Sequence, residues 1–146
     1  MRKMWLLMLL KPEIVAHRPL LQKTVHELLE AGIVIDAAQK LQLTSEKAQQ
    51  LYEAHRGKFF YERLVRHVTS GPVVAMRVSG DVRRLLGSSR LYPLPENGHF
   101  TTLRQRFALS DVRNVAHASD AEAAPRELAL FEPLPAPDAL LNEILA

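Results

Sequence analysis

Trp5 to Leu10 is an unbroken apolar run, WLLMLL, that stops at Lys11-Pro12-Glu13. Such a run, without polar alternation, is predicted to be a buried first strand. A buried strand obliges the rest of the chain to supply its cover. Pro12 cannot donate to a ladder, so pairing should end there. Arg2 and Lys3 ahead of the run imitate a secretory signal, but no small-residue cleavage site follows, and a signal peptide is rejected. The run is also far too short for a bilayer, which takes roughly 20 residues, and no membrane association is expected.

The 146 residues are 47% hydrophobic and 24% charged, which points to one packed domain rather than a disordered chain. By size scaling a chain of this length buries roughly two-thirds of its unfolded surface. There are no cysteines, which excludes disulfide scaffolds, zinc-thiolate sites, iron–sulfur clusters and thiol nucleophiles together.

Strands and helices alternate in the pattern. Pro19 suits a helix first turn and Gly32 a stop, with Leu20, Leu21, Val25, Leu28 and Leu29 on one face between them. Ile33 to Ile35 opens a second strand that can run to Leu41. Thr44 or Ser45 caps the next helix, and Phe60, Leu64, Val65 and Val68 continue helically after Gly57. Val73 to Val78 is a third strand, after the Gly71-Pro72 turn. From Gly80 to Arg113 the pattern is least regular: one short helix near Asp81–Leu86, then a long loop through Pro93, Pro95, Asn97 and Gly98. A short strand at Val115 to His117 precedes a helix from about Ala121 to Phe131. Pro133, Pro135 and Pro137 then stiffen a tail that packs on the body or on a partner. This order fits an α/β (α+β) chain of ferredoxin-like type, a split βαβ sandwich with a four-stranded antiparallel sheet covered by helices.

Residues 1–114 carry 18 Lys or Arg against 10 Asp or Glu, whereas residues 115–146 carry one Arg against six acids. Between Arg77 and Arg113 there are seven arginines and no lysine. Guanidinium grips phosphate bidentately, so the stretch points to a phosphate ligand; a salt-bridged surface and non-specific nucleic-acid binding are the alternatives. None of the six histidines pairs with another at metal-ligand spacing. His117 has the most suggestive setting. It ends a short strand after the arginines, and Ser119 and Asp120 can cap the following helix. A neutral imidazole there is a candidate phosphoryl acceptor.

Five segments in order then carry a resemblance: Leu9-Leu10-Lys11-Pro12-Glu13, Tyr52-Glu53-Ala54-His55, Lys58-Phe59-Phe60-Tyr61-Glu62-Arg63-Leu64-Val65, Ser70-Gly71-Pro72-Val73-Val74-Ala75-Met76 and Asn114-Val115-Ala116-His117-Ala118-Ser119-Asp120. The chain resembles the nucleoside diphosphate kinase family from about residue 5 to 132. The wording around His55–Tyr61 and Leu109–Asn114 looks closest to the divergent nucleoside diphosphate kinase 6 group, often mitochondrial. The resemblance implies a ferredoxin-like domain over 1–132 with a proline-containing tail over 133–146. It implies transfer of a γ-phosphate from a nucleoside triphosphate to a nucleoside diphosphate, ping-pong, through a phosphohistidine at His117. Lys11, Tyr52, Arg83, Ser89, Arg104 and Asn114 match the phosphate grip, with Arg84 adjacent to Arg83 leaving that match open by one position. Ser89 stands where threonine is usual. Phe60 matches the ring that stacks on the base, Leu64 lies beside it, and Glu127 matches the carboxylate that orients the histidine. Magnesium would arrive on the nucleotide phosphates, with no protein metal site. Taken without the resemblance, Lys11 reads as a solvated strand end, Tyr52, Phe60 and Leu64 as core, and Glu127 as a surface acid.

The sequence departs from the family pattern in several places. Ala118 replaces a glycine, so a positive φ there would be strained. Ala121 replaces serine, Glu13 replaces aspartate, and Asp111 stands where a valine often closes the base pocket. The segment between Gly80 and Arg83 is shorter by roughly five residues, about a turn and a half of helix, which is expected to displace Arg83, Ser89 and the mouth of the cleft. Gly98 to Leu103 lacks the proline-glycine pair of a loop that helps build hexamers in the family, so a monomer or dimer is expected. The alternative to an active kinase is therefore a weakly active or inactive member, serving as a nucleotide-binding or regulatory subunit for a protein partner. The expected location is cytoplasmic or mitochondrial.

Overall fold

Strand β1 (Leu6–Leu10) lies between two apolar layers: Leu6, Met8 and Leu10 enter one core, and Leu7 and Leu9 the other. The structure is a computed structural model that describes residues 4–88 and 101–146. After β1 come helices α1 (Pro12–Val15) and α2 (Arg18–Glu30), strand β2 (Val34–Leu41), and helices α3 (Ser45–Leu51) and α4 (Tyr61–Val68). Strand β3 (Val73–Ser79), helices α5 (Val82–Leu86) and α6 (Leu103–Phe107), strand β4 (Ala116–Ala118), and helices α7 (Ala124–Ala129) and α8 (Asp138–Leu145) complete the order.

The sheet has the order β2-β3-β1-β4 with every neighbouring pair antiparallel. Helices cover both faces, so the sheet is the expected ferredoxin-like sandwich. On one face α2 contributes Leu21, Val25 and Leu28, and α8 contributes Ile144. On the other, Ala48 and Leu51 of α3, Leu64 and Val68 of α4, and Leu128 of α7 pack on Leu7, Leu9 and Ala75. Full burial of each such leucine contributes roughly 1.5–3 kcal/mol. Local chemistry sets the helix ends. Pro19 lies in the first turn of α2, where the imidazole of His17 accepts from the Leu20 amide, and the Thr44 hydroxyl accepts from Lys47 to cap α3.

Some expectations shift. The irregular stretch holds a second helix, α6, started by a reciprocal capping box between Thr102 and Gln105. The strand before the last core helix begins at Ala116 rather than Val115, because Val115 is taken by a tight turn. Helix α7 starts at Ala124 rather than Ala121: the Asp120 side chain accepts from the Ala123 amide one turn earlier, and Ser119 turns inward. The tail packs on the body. Arg18 and Gln22 of α2 donate to the Glu143 and Ile144 carbonyls, and the Ala38 amide donates to Pro135 O. Ser89 and the expected loop at Pro93, Pro95, Asn97 and Gly98 lie outside the described residues.

Gly32 and Gly87 both have positive φ, +80° and +89°, but only Gly87 is crowded: a Cβ there would sit 2.6 Å from Thr102 Cβ, whereas Gly32 faces open space. Gly32→Ala is expected to destabilise by about 1 kcal/mol, for the left-handed backbone alone. Gly87→Ala should destabilise by roughly 1–3 kcal/mol more, because α6 must shift. Urea denaturation midpoints of the two variants check the ordering.

Candidate active site

His117 enters the site through the ladder. It pairs with Leu9, so its side chain projects to the sheet face that carries Tyr52, Leu64 and α7. Its Nε2 lies 2.6 Å from Glu127 Oε1. The Ser119 hydroxyl donates to the same oxygen at 2.7 Å, and its Oγ accepts from the Leu7 amide at 3.3 Å. Burial pushes the Glu127 carboxyl up, but the bonds and charge from His117, the Ser119 hydroxyl and Arg126 outweigh it and hold it below its ordinary value. An ionised carboxylate only accepts, so Nε2 carries the ring proton and Nδ1 keeps its lone pair. Tyr52, at the end of α3, meets the imidazole edge-on with centroids 5.2 Å apart.

Beside it sits a group of buried cations. Lys11, at the end of β1, is 3% exposed, and its ammonium donates to Val112 O at 2.9 Å and to Asn114 Oδ1. Asn114 in turn donates to Asp111 O. Arg104 of α6 donates to three backbone carbonyls: Asn114 at 3.0 Å, Gly87 at 2.9 Å and Ala116 at 2.6 Å. An ammonium has three N–H and a guanidinium five, so Lys11 keeps one donor and Arg104 two after these bonds. The Tyr52 hydroxyl is buried with no partner among the described residues. Burial, and then the charge of Arg104, pull Lys11 from 10.5 down to about 7. Burial likewise lowers Arg104 to about 10, with Tyr52 opposing and Arg83 adding. Unused donors and depressed cations together make a receptor for an anion.

Two cavities of about 700 Å³ meet at this point and share Tyr52, His55, Arg104 and His117. One also holds Arg83, Arg84, Gly87, Ser88, Arg126 and Glu127. The other reaches Lys11 and Asn114 and ends against Phe59, Phe60, Leu64 and Asp111. Leu64 is both core and cavity wall. The shortened segment still delivers Arg83 to the cleft, with Arg84 beside it, because α5 begins directly after the Gly80 turn and Asp81 caps it. Lys11, Tyr52, Phe60, Leu64, Arg83, Arg104, Asn114, His117 and Glu127 therefore gather around one cleft; Ser89 lies outside the described residues.

The strain expected at Ala118 is instead at Val115. Ala118 is an ordinary strand residue, whereas Val115 has φ +84° in a three-residue turn closed by Ala116 N–H to Asn114 O at 3.1 Å. A β-branched residue there stores on the order of 1–3 kcal/mol. The turn is held because Val115 is fully buried, its carbonyl accepts from the Lys11 amide at 2.9 Å, and Arg104 grips the carbonyls on both sides.

His55 and Lys58 belong to the site without having been singled out. Lys58 Nζ donates to His55 Nδ1 at 3.1 Å and lies over the Phe60 ring, and burial, Lys58 and His117 hold His55 below its ordinary value. The signal was the placement of both beside the Phe59-Phe60 pair. Glu13 lies off the cleft, paired with His67 at 3.1 Å.

Folded Lys11 binds fewer protons than unfolded Lys11 between about pH 7 and its ordinary 10.5. Stability is therefore least below pH 7, where both states are protonated, and rises through that window. Lys11→Met is expected to flatten the rise, as read from urea midpoints at about pH 6.5, 8 and 9.5.

A sequence model of the family described as nucleoside diphosphate kinase matches residues 6–133. A nucleoside diphosphate kinase of Saccharolobus solfataricus is 38% identical over 129 residues, covering 84% of this chain and 90% of that one. One of Clostridium perfringens is 38% identical over 133 residues, covering 87% and 90%. The structure of a halophilic nucleoside diphosphate kinase from Halobacterium salinarum in complex with CDP superposes with a TM-score of 0.80 at 28% identity, covering 96% of this chain and 99% of that one. With the family match spanning nearly the whole chain and the same sandwich seen in the structural relative, the chain belongs to the nucleoside diphosphate kinase family.

Proposed function

We propose that the chain moves the γ-phosphate of a nucleoside triphosphate to a nucleoside diphosphate through a phosphohistidine on His117. The observation that carries this reading is the pairing of a fixed imidazole with unused donors. Glu127, held in turn by the Ser119 hydroxyl, anchors Nε2, which leaves Nδ1 as the nucleophile beside the spare N–H groups of Lys11 and Arg104 and the Tyr52 hydroxyl, which has no partner among the described residues. Nδ1 attacks the γ-phosphorus as the bond to the β–γ bridging oxygen breaks, and the diphosphate leaves. A terminal oxygen of an incoming diphosphate then takes the group from Nδ1, restoring the neutral ring. Phosphoryl transfer asks mainly for positioning and charge stabilisation, which Lys11, Arg83, Arg104 and Asn114 are placed to supply. Phe60 and Leu64 offer the base an apolar seat.

Magnesium fits this site as a companion of the nucleotide. Among the described residues no three carboxylate or histidine side chains converge as ligands, and the cleft presents cations. Bound to the phosphates, the ion would offset their charge. The wording around His55–Tyr61 and Leu109–Asn114 supports kinship with the divergent nucleoside diphosphate kinase 6 group. The missing proline-glycine pair before Leu103 supports a monomer or dimer, alone or with a protein partner. Dependence on nucleoside phosphates supports a cytoplasmic or mitochondrial location, and no described helix is long and apolar enough to cross a membrane.

The test is labelling of the purified protein by γ-labelled ATP with magnesium. Label that is acid-labile, alkali-stable, discharged by a nucleoside diphosphate and absent from His117→Ala is expected. Bound nucleotide without label would overturn the reading. Each lost charge-assisted bond is worth about 1.5–3 kcal/mol, so Lys11→Met should slow labelling by roughly tenfold to over a hundredfold.

A further inference from the structure

The base end of the nucleotide cavity is walled by two separate parts of the chain. On one side stand Phe59 and Phe60, just before α4, and Leu64 within it; on the other stand Asp111 and Val112, in the loop after α6. A neighbouring cavity of about 450 Å³ is lined by Arg63, Arg66, His67 and Arg113, and Val112 faces both cavities. Whatever holds α4 to the loop therefore keeps the two cavities apart.

One ion pair does so. Arg63 of α4 donates Nη1–H to Asp111 Oδ1 at 3.1 Å and Nη2–H to Oδ2 at 2.7 Å. The Asp111 and Val112 amides donate to the same carboxylate, so its lone pairs are taken and it is a tie rather than a ligand. The Arg63 guanidinium also lies 5.9 Å over the Phe59 ring, which meets Phe60 edge-on with centroids 5.4 Å apart. Exposed ion pairs usually contribute little, and both side chains here are nearly half exposed. This pair has more weight because its fork is bidentate and because α4 has little else at that end. The helix starts at Phe60 without a side-chain cap and buries only Leu64 and Val68. Among the described residues, no other hydrogen bond joins α4 to that loop. The phosphate end is braced separately: Lys11 holds Val112 O and Asn114, and Arg104 holds the Asn114 and Ala116 carbonyls.

We infer that the Arg63–Asp111 pair is a clasp that fixes the width of the base seat before a nucleotide arrives, with Arg63 as a positioning residue. The inference rests on the function proposed above. A seat that is already closed has less freedom to lose when a base enters. Opening the clasp would join the two cavities and let Phe60 draw away from Val112, while Lys11, Arg104 and His117 keep their places. With its lone pairs taken, Asp111 reads no base, so every base depends on the clasp alike.

The closing experiment measures binding of ADP, GDP, UDP and pyrophosphate to the full chain by calorimetry, with steady-state kinetics alongside. The variants are Arg63→Gln, Asp111→Asn and the two combined. In each, the three nucleotides should weaken by one common factor of roughly three- to fivefold, the top of the range for an exposed pair, while base-free pyrophosphate holds within about 1.5-fold. The KM for the diphosphate should rise by the same factor with kcat unchanged. The combined variant should be no weaker than either single one, since each already opens the clasp. Arg63→Lys, which keeps the charge without the fork, should fall between Arg63→Gln and the unaltered chain. Equal losses for nucleotides and pyrophosphate, a fall in kcat in place of the rise in KM, additive losses, or nucleotide affinity unchanged in both single variants would each overturn the inference and leave the kinase reading intact. Failure of the unaltered chain to bind any nucleotide overturns both.

Discussion

Strand β1 has no face left for water, and that constraint orders the rest of the molecule. Its alternate side chains feed two separate cores, so helices must close over both sides of the sheet. The strand stops where Pro12 removes a donor, and the last amide before it, from Lys11, is satisfied by Val115 O across the gap to β4. That one bond sets Lys11 beside the turn that leads into His117. Lys11 and His117, more than a hundred residues apart in sequence, line one cleft because a buried strand end needed a partner.

The site formed there is unfavourable in the empty protein. Lys11 is almost fully buried next to another cation, Val115 holds a backbone conformation that β-branched residues avoid, and the Tyr52 hydroxyl has no described partner. None of these features stabilises the fold. Two of them are offset by an anion: it would raise the Lys11 pKa and give the tyrosine an acceptor, while the spare N–H groups of Arg104 would take its oxygens. Stability given up at a reacting centre is the usual accompaniment of preorganised charge stabilisation.

The arginine-only stretch from 77 to 113 shows how one composition signal divides in three dimensions. Arg77 pairs with Asp36 and lies over Trp5, and Arg106 pairs with Glu27; these hold the scaffold. Arg83, Arg84 and Arg104 line the cleft. Arg113 stands elsewhere, at a second cavity with Arg63 and Arg66, and Arg90 lies outside the described residues. The cleft-lining part of the stretch comes from α5 and α6, the second of which escaped the periodicity of the sequence because Leu103 is its one buried residue, where α5 buries both Val82 and Leu86; its capping box at Thr102 and Gln105 was the readable sign.

The amino-acid order by itself determined the buried first strand, the alternation of elements, the cap at Thr44, the first-turn proline at Pro19, and the residue types from which the site is drawn. Those features depend on near neighbours, through periodicity, proline geometry and local hydrogen bonds. Tertiary structure alone decided that the strain falls on Val115 rather than Ala118, that Ser119 turns in to Glu127 instead of capping a helix, and that Asp111 is held by Arg63. Each is set by partners far along the chain: Lys11 and Arg104 brace the turn, the Leu7 amide and Glu127 claim the serine, and α4 brings the arginine. A sequence names the donors and acceptors, but which of them stay unpaired, and so available to a ligand, depends on the burial and pairing of every group around them.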